Sequence, residues 1–217
     1  MQQSGIPVTP VASLLGSPEG SAGLTLSQIS ASQYLLNGGQ PYRESVSDRR
    51  LASGQCTPSS GVELAVAIVL FGGDVITNLS FVSSSVLTMG SNADGHLWFA
   101  LRNELGGLIL QTADQGGSAT WLSGAWKTLA LSGGPYTVPE TGLYYVSQMQ
   151  NVGTGGSPAT ASMRGNATTG VLIGAGNSGQ PAGQKAIALT GGSGLGGTAP
   201  SSPTLANSGN WLYCVAS

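Results

Sequence analysis

The amino-acid sequence predicts an all-β protein, an antiparallel sandwich or barrel preceded by an extended N-terminal arm, on three observations. Short runs rich in branched and aromatic residues, each of strand length, recur from residue 61 to residue 216 between clusters of Gly, Asn, Ser and Pro. No run carries the 3.6-residue apolar period over the length of a helix. Of the 217 residues, 40% are hydrophobic and 7% are charged, so a core can form, while the high charge that holds disordered chains open is missing. About nine short strands at this spacing suit a sandwich or barrel.

Residues 1–55 read as the arm and residues 56–217 as the sandwich domain. Pro7, Pro10, Pro18 and Pro41 break the arm into short apolar pieces at 11–15, 24–29 and 34–36, none long enough to build a core alone. A dense charge cluster, Arg43, Glu44, Asp48, Arg49 and Arg50, closes it. A linker would be polar throughout; apolar beads at intervals favour an arm that orders against a neighbouring subunit.

The strands follow in order. Residues 62–71 form a branched, apolar run, Gly72, Gly73 and Asp74 supply a turn, and residues 75–82 follow as the second arm of a hairpin. Further strands read at 96–102, 108–112, 126–131, 143–150, 171–173, 186–189 and 211–216. Three of them place aromatic beside aliphatic residues, as in Leu97, Trp98 and Phe99, in Leu143, Tyr144 and Tyr145, and in Trp211, Leu212 and Tyr213. Both faces of such strands are apolar, which suits a core on one side and a packed partner or subunit on the other. After residue 151 the composition turns to Gly, Ser, Ala, Thr and Pro, and no carboxylate side chain occurs beyond Glu140. Loops of this kind serve as functional surface or order against a partner.

Charge and motif patterns exclude several classes. A net charge of -2 and scattered Lys and Arg leave no basic patch for nucleic acid. No apolar run approaches the 18 or so residues of a membrane span, and the N-terminus lacks the basic and apolar regions of a secretory signal. Cys56 and Cys214 read either as a pair bridging the first and last strands or as two unrelated buried thiols. With one histidine they do not complete a structural zinc site. Residues 171–179 place Gly174, Gly176 and Gly179 after an apolar strand, as a dinucleotide fingerprint would, but Pro181 and Gly183 break the helix it needs and no ribose-binding acid follows. Residues 194–199 fail on the same grounds. His96, with Asp94 or Asp114 as partner, lacks a nucleophile elbow, and Asp94, Glu104, Asp114 and Glu140 form no pattern that pairs two carboxylates. The expectation is a protein that is not an enzyme and takes no cofactor.

The most informative stretch is 135–146, where Pro139 and Gly142 make a corner before Leu143, Tyr144, Tyr145 and Val146. It resembles the corner of jelly-roll modules such as the C1q and tumour-necrosis-factor-like domains, which implies a jelly-roll-like β-sandwich. Over residues 61–151 the order of segments is similar to a β-sandwich family of virion proteins in actinobacterial tailed phages. Its members are usually described as minor tail or hypothetical proteins. That resemblance implies a structural protein of a tailed-bacteriophage virion, a minor tail or capsid-decorating subunit. It would be assembled in the host cytoplasm, form homo-oligomers with other virion subunits as partners, and dock through its arm and apolar strand faces. The alternative is a carbohydrate-binding module for host adhesion that contacts a cell-wall glycan. Trp121 and Trp126, five residues apart among Gly and Ser, are its candidate aromatic platform.

Overall fold

A computed structural model describes residues 43–45, 54–167, 188–203, 205–208 and 210–217. The described residues form β-sheets joined by turns and a single 3-10 turn at Gly116–Ser118. The largest sheet has six antiparallel strands, in the order β13 (Leu205–Asn207), β12 (Ala188–Gly191), β3 (Glu63–Leu70), β10 (Gly142–Asn151), β6 (His96–Arg102) and β7 (Leu108–Gln111). A second layer faces it. Its four-stranded part runs β1 (Arg43–Glu44), β15 (Cys214–Ala216), β5 (Asn78–Val82) and β8 (Trp126–Ala130), and its three-stranded part runs β14 (Asn210–Leu212), β11 (Met163–Ala167) and β2 (Gly54–Cys56). A bridge between Ser83 and Met163 and the Tyr213 amide bond to the Arg164 carbonyl join the two parts.

The alternation of strand side chains divides the large sheet into two faces. Leu64, Val66, Ile68 and Leu70 of β3, Leu97, Phe99 and Leu101 of β6, and Tyr144 and Val146 of β10 point into the main core. Leu79, Phe81, Cys56, Met163 and Cys214 meet them from the second layer. Phe81 stands edge-on to Phe99 with ring centres 4.8 Å apart. Glu63–Leu70, His96–Arg102 and Gly142–Asn151 stand where their apolar runs predict strands.

The other face of the same strands carries Ala65, Ala67, Trp98, Ala100, Arg102, Tyr145 and Met149, all buried. Both faces are indeed apolar, but much of the second is covered by the chain itself rather than by a subunit. Residues 192–203, a Gly-rich segment, lie across it as a strap. The Trp98 indole donates to the Gly196 carbonyl at 2.7 Å, Asn151 donates to the Leu195 carbonyl at 2.9 Å, and the Leu108 amide donates to the Ser201 carbonyl at 2.8 Å. Ala199 and Leu195 pack on Trp98, Ala100 and Met149. The part of this outer face formed by β6 and the end of β10 is therefore occupied by the strap.

Three further expectations are corrected. Residues 62–71 and 75–82 do not form a hairpin. Strand β3 is flanked by β10 over eight paired residues and by β12 on its other side, so neither edge is open to the short run that follows. Instead the turn carries the chain to the opposite layer. Gly73 adopts φ +91, a left-handed conformation natural to glycine, and Asp74 accepts the Phe71 amide at 2.9 Å. β4 (Val75–Ile76) then pairs with β9 (Tyr136–Thr137), and β5 pairs with β8 and β15.

Residues assigned to the arm also enter the sandwich, since β1 and the first two residues of β2, Gly54 and Gln55, come from it. Arg43 forks onto the Asp74 carboxylate at 2.8 and 2.7 Å and stacks 4.9 Å over the Phe71 ring, while Ser45 bridges to Ile68. Part of the charge cluster thus fastens the sandwich. Finally, residues 211–216 are not one strand: Tyr213 separates β14, paired with β11, from β15, paired with β5 and β1. The expected strand at 171–173 and the start of that at 186–189 lie outside the described residues.

The corner at 138–142 docks on the 72–74 turn. The Gly73 amide donates to the Val138 carbonyl and the Val138 amide to the Asp74 carbonyl, both at 2.8 Å, and the Tyr144 hydroxyl donates back to the Glu140 carbonyl at 3.1 Å.

Candidate functional site

Of the residues considered for catalysis, His96 and Asp114 meet each other, while Glu104 and Glu140 lie in separate turns. His96 opens β6, and its Nδ1 lies 2.7 Å from Asp114 Oδ2, so of the two acids weighed as partners Asp114 is the one it meets. The other Asp114 oxygen accepts the Leu97 amide at 3.0 Å and the Gly116 amide at 3.1 Å. Partial burial pushes the Asp114 carboxyl up, but the hydrogen bonds from His96, Gly116 and Leu97 outweigh it and hold the group below the ordinary carboxylate range. The pair thus anchors the start of a strand to the 3-10 turn. Gly197 of the strap closes over it so tightly that a Cβ there would sit 2.5 Å from Asp114 Oδ2.

Asp94 accepts the amide and hydroxyl of Thr154 at 2.9 and 2.8 Å, which lowers its pKa, the backbone bond first. Glu104 and Glu140 are exposed in separate turns. Among the described residues no group of three His, Cys, Asp or Glu side chains could hold a metal. The glycine motif at 174–179 lies outside the described residues; the one at 194–199 forms the strap and starts no helix. Cys56 and Cys214 are free and buried, and burial raises the Cys56 thiol to about 11 and the Cys214 thiol further in the same direction.

The charge pair that matters most had no place in the sequence reading. Arg102 Nε and Nη2 donate to the two oxygens of Glu63 at 2.6 and 2.8 Å, and both side chains are 0% exposed. The remaining guanidinium nitrogen donates to the carbonyls of Gly106 and Pro200, each at 3.0 Å. Pro200 belongs to the strap, so the pair fastens it to the sheet. A lone Glu at the start of one apolar strand and a lone Arg at the end of another was the available signal.

The two candidate tryptophans part company. Trp121 is 3% exposed, with its indole N–H on the Ala125 carbonyl at 2.8 Å and its ring 5.8 Å from Phe99. It is a core residue and offers no platform. Trp126 is 51% exposed at the start of β8, with its ring edge-on to Tyr213 at 5.7 Å. Around it the 83–87 and 121–126 segments are cross-tied: the Leu87 amide donates to the Trp121 carbonyl, the Ser123 hydroxyl to the Ser84 carbonyl, and the Ser83 hydroxyl to the Leu122 carbonyl. Val86 and Leu122, 50% and 69% exposed, lie in these segments. This end of the β5–β8 pair brings three of the large exposed apolar side chains together.

No protein-family model matches the sequence, and no curated protein matches it.

Proposed function

We propose that the chain is a structural subunit of a tailed-bacteriophage virion, a minor tail or capsid-decorating protein that assembles with further copies of itself and other virion subunits. The observation that carries this reading is the use made of its few charges. Glu63 and Arg102 are buried against each other, Arg43 holds Asp74, and Asp114 holds His96. Among the described residues the rest of the outer surface is rich in hydroxyls, amides and glycine, with Asp94, Glu104 and Glu140 as scattered exposed carboxylates. Such a surface has a weak field, and copies packed densely on a particle repel one another little. The order of segments over residues 61–151 supports the same reading through its similarity to phage virion sandwiches.

The contacts differ from those the strand pattern alone suggested. With part of the outer face of the large sheet taken by the strap, the N-terminal residues are the main docking element of this reading. Arg43 sits on β1, an edge strand, so a segment leaving from there begins at the rim of the sandwich. The test is a chain lacking residues 1–42, supplied in place of the full chain during particle assembly. It should keep a cooperative β-sheet unfolding transition and be missing from purified particles. Incorporation at the level of the full chain would overturn the docking role of the arm.

A further inference from the structure

We propose that the exposed end of the β5–β8 pair binds a neutral saccharide, with Trp126 as the stacking platform. A pyranose ring offers a face of C–H groups to an aromatic ring and hydroxyls at its rim, and the surface here has the matching parts. Trp126 is half exposed, and Tyr213, itself 4% exposed, backs its ring edge-on at 66°. A platform held this way loses little freedom on binding. Val82 lies across from Trp126 in the β5–β8 register, and Val86 and Leu122 extend the apolar surface beyond it.

Hydroxyls lie beside it. Two residues along the strand from Trp126, and so on the same face, is Thr128, whose exposed hydroxyl pairs with Ser80 at 2.8 Å. The Ser123 side chain is exposed at the other end. The Ser123 hydroxyl donates to the Ser84 carbonyl at 2.9 Å, which ties that end of the surface to the 83–87 segment.

The surroundings favour this occupant over a protein. Ser80, Val82, Ser84, Val86, Leu122 and Thr128 carry no charge, and Lys127, next to Trp126 in the chain, places its Nζ on the Thr120 carbonyl at 2.7 Å. The six uncharged side chains suit a neutral ligand. Lysine on an edge strand such as β8 also discourages the addition of another strand. The proposal concerns this surface alone and holds whether or not the chain sits on a virion.

The test is calorimetric titration of the full-length protein with neutral tetrasaccharides of β-linked glucose, N-acetylglucosamine, galactose and mannose. At least one should bind with a Kd between roughly 0.1 and 10 mM. The Trp126→Ala variant should weaken that binding about tenfold or more, with Thr128→Val weakening it less, and both variants should keep the parent's unfolding midpoint. Should Trp126→Ala fail to fold, Trp126→Ser and Leu122→Ser serve in its place. Absence of binding to all four sugars, or equal binding by the Trp126 variant, would overturn the proposal. So would a concentration-dependent dimer abolished by Trp126→Ala, which would give this surface to a second copy.

Discussion

Replacing Arg102 with methionine isolates the buried charge pair that ties the strap to the sheet. Methionine fills most of the space but leaves the Glu63 carboxylate at 0% exposure without its two donors. The carbonyls of Gly106 and Pro200 lose their common donor as well. Breaking one side of a buried pair costs about 3–5 kcal/mol, far more than an exposed pair of the same geometry. For a chain of this length that lowers the melting midpoint by roughly 6–20 °C. The double variant Glu63→Leu with Arg102→Met removes both charges and leaves only two carbonyls short of a partner, each worth about 1 kcal/mol. It should therefore recover to within about 2 kcal/mol of the parent, and be more stable than the single variant despite carrying one more change. Urea unfolding reads both values, provided the slope with denaturant is unchanged. A loss under about 1 kcal/mol for Arg102→Met, or a double variant no better than the single one, would refute the reasoning.

Other outcomes follow from the same geometry. Gly197→Ala forces a methyl to within 2.5 Å of Asp114 Oδ2 and 3.1 Å of His96 Nδ1, so it should destabilise by about 1–3 kcal/mol and speed hydrogen exchange of the Leu97 and Gly116 amides; native-like exchange would contradict a closed strap. Cys56 and Cys214 should resist a thiol reagent at pH 8 until the protein unfolds, because both are buried and burial raises their pKa values; rapid titration of either in the native protein would contradict this placement. The depressed pKa of Asp114 gives stability that is present above the unfolded carboxylate value of about 4 and is lost as pH falls through the lower folded value, so Asp114→Asn should flatten the acid limb of a stability-against-pH curve. An unchanged acid limb would show that the pair with His96 is not a source of that dependence.

Strands with continuous apolar patterns were legible in the sequence, because their periodicity and turn flanks are local properties. His96–Arg102 and Gly142–Asn151 differ from expectation by a residue or two at most. Partnership was not legible, since it depends on which edges remain open after the longest strands pair. The 62–82 hairpin failed for that reason, although both of its runs were read as strands. Met163–Ala167 was missed because Arg164, Gly165 and Asn166 interrupt any apolar alternation; its place is fixed by β2 and β14 on either side. The tryptophans show the same limit. Trp121 and Trp126 sit in similar composition, yet a bridge to Leu87 turns the first into the core and strand alternation turns the second outward. The strap was unreadable as such, because glycine leaves no apolar pattern and its contacts are made largely through carbonyls to Trp98, Arg102 and Asn151.

The proposed place of the chain in a virion is tested most directly by electron cryo-microscopy of tailed-phage particles assembled with the chain and without it. Difference density should appear at symmetry-related positions on the tail or shell, each region large enough for the two-layered sandwich. Purified particles that lack the chain, with no difference density between the two preparations, would contradict the claim.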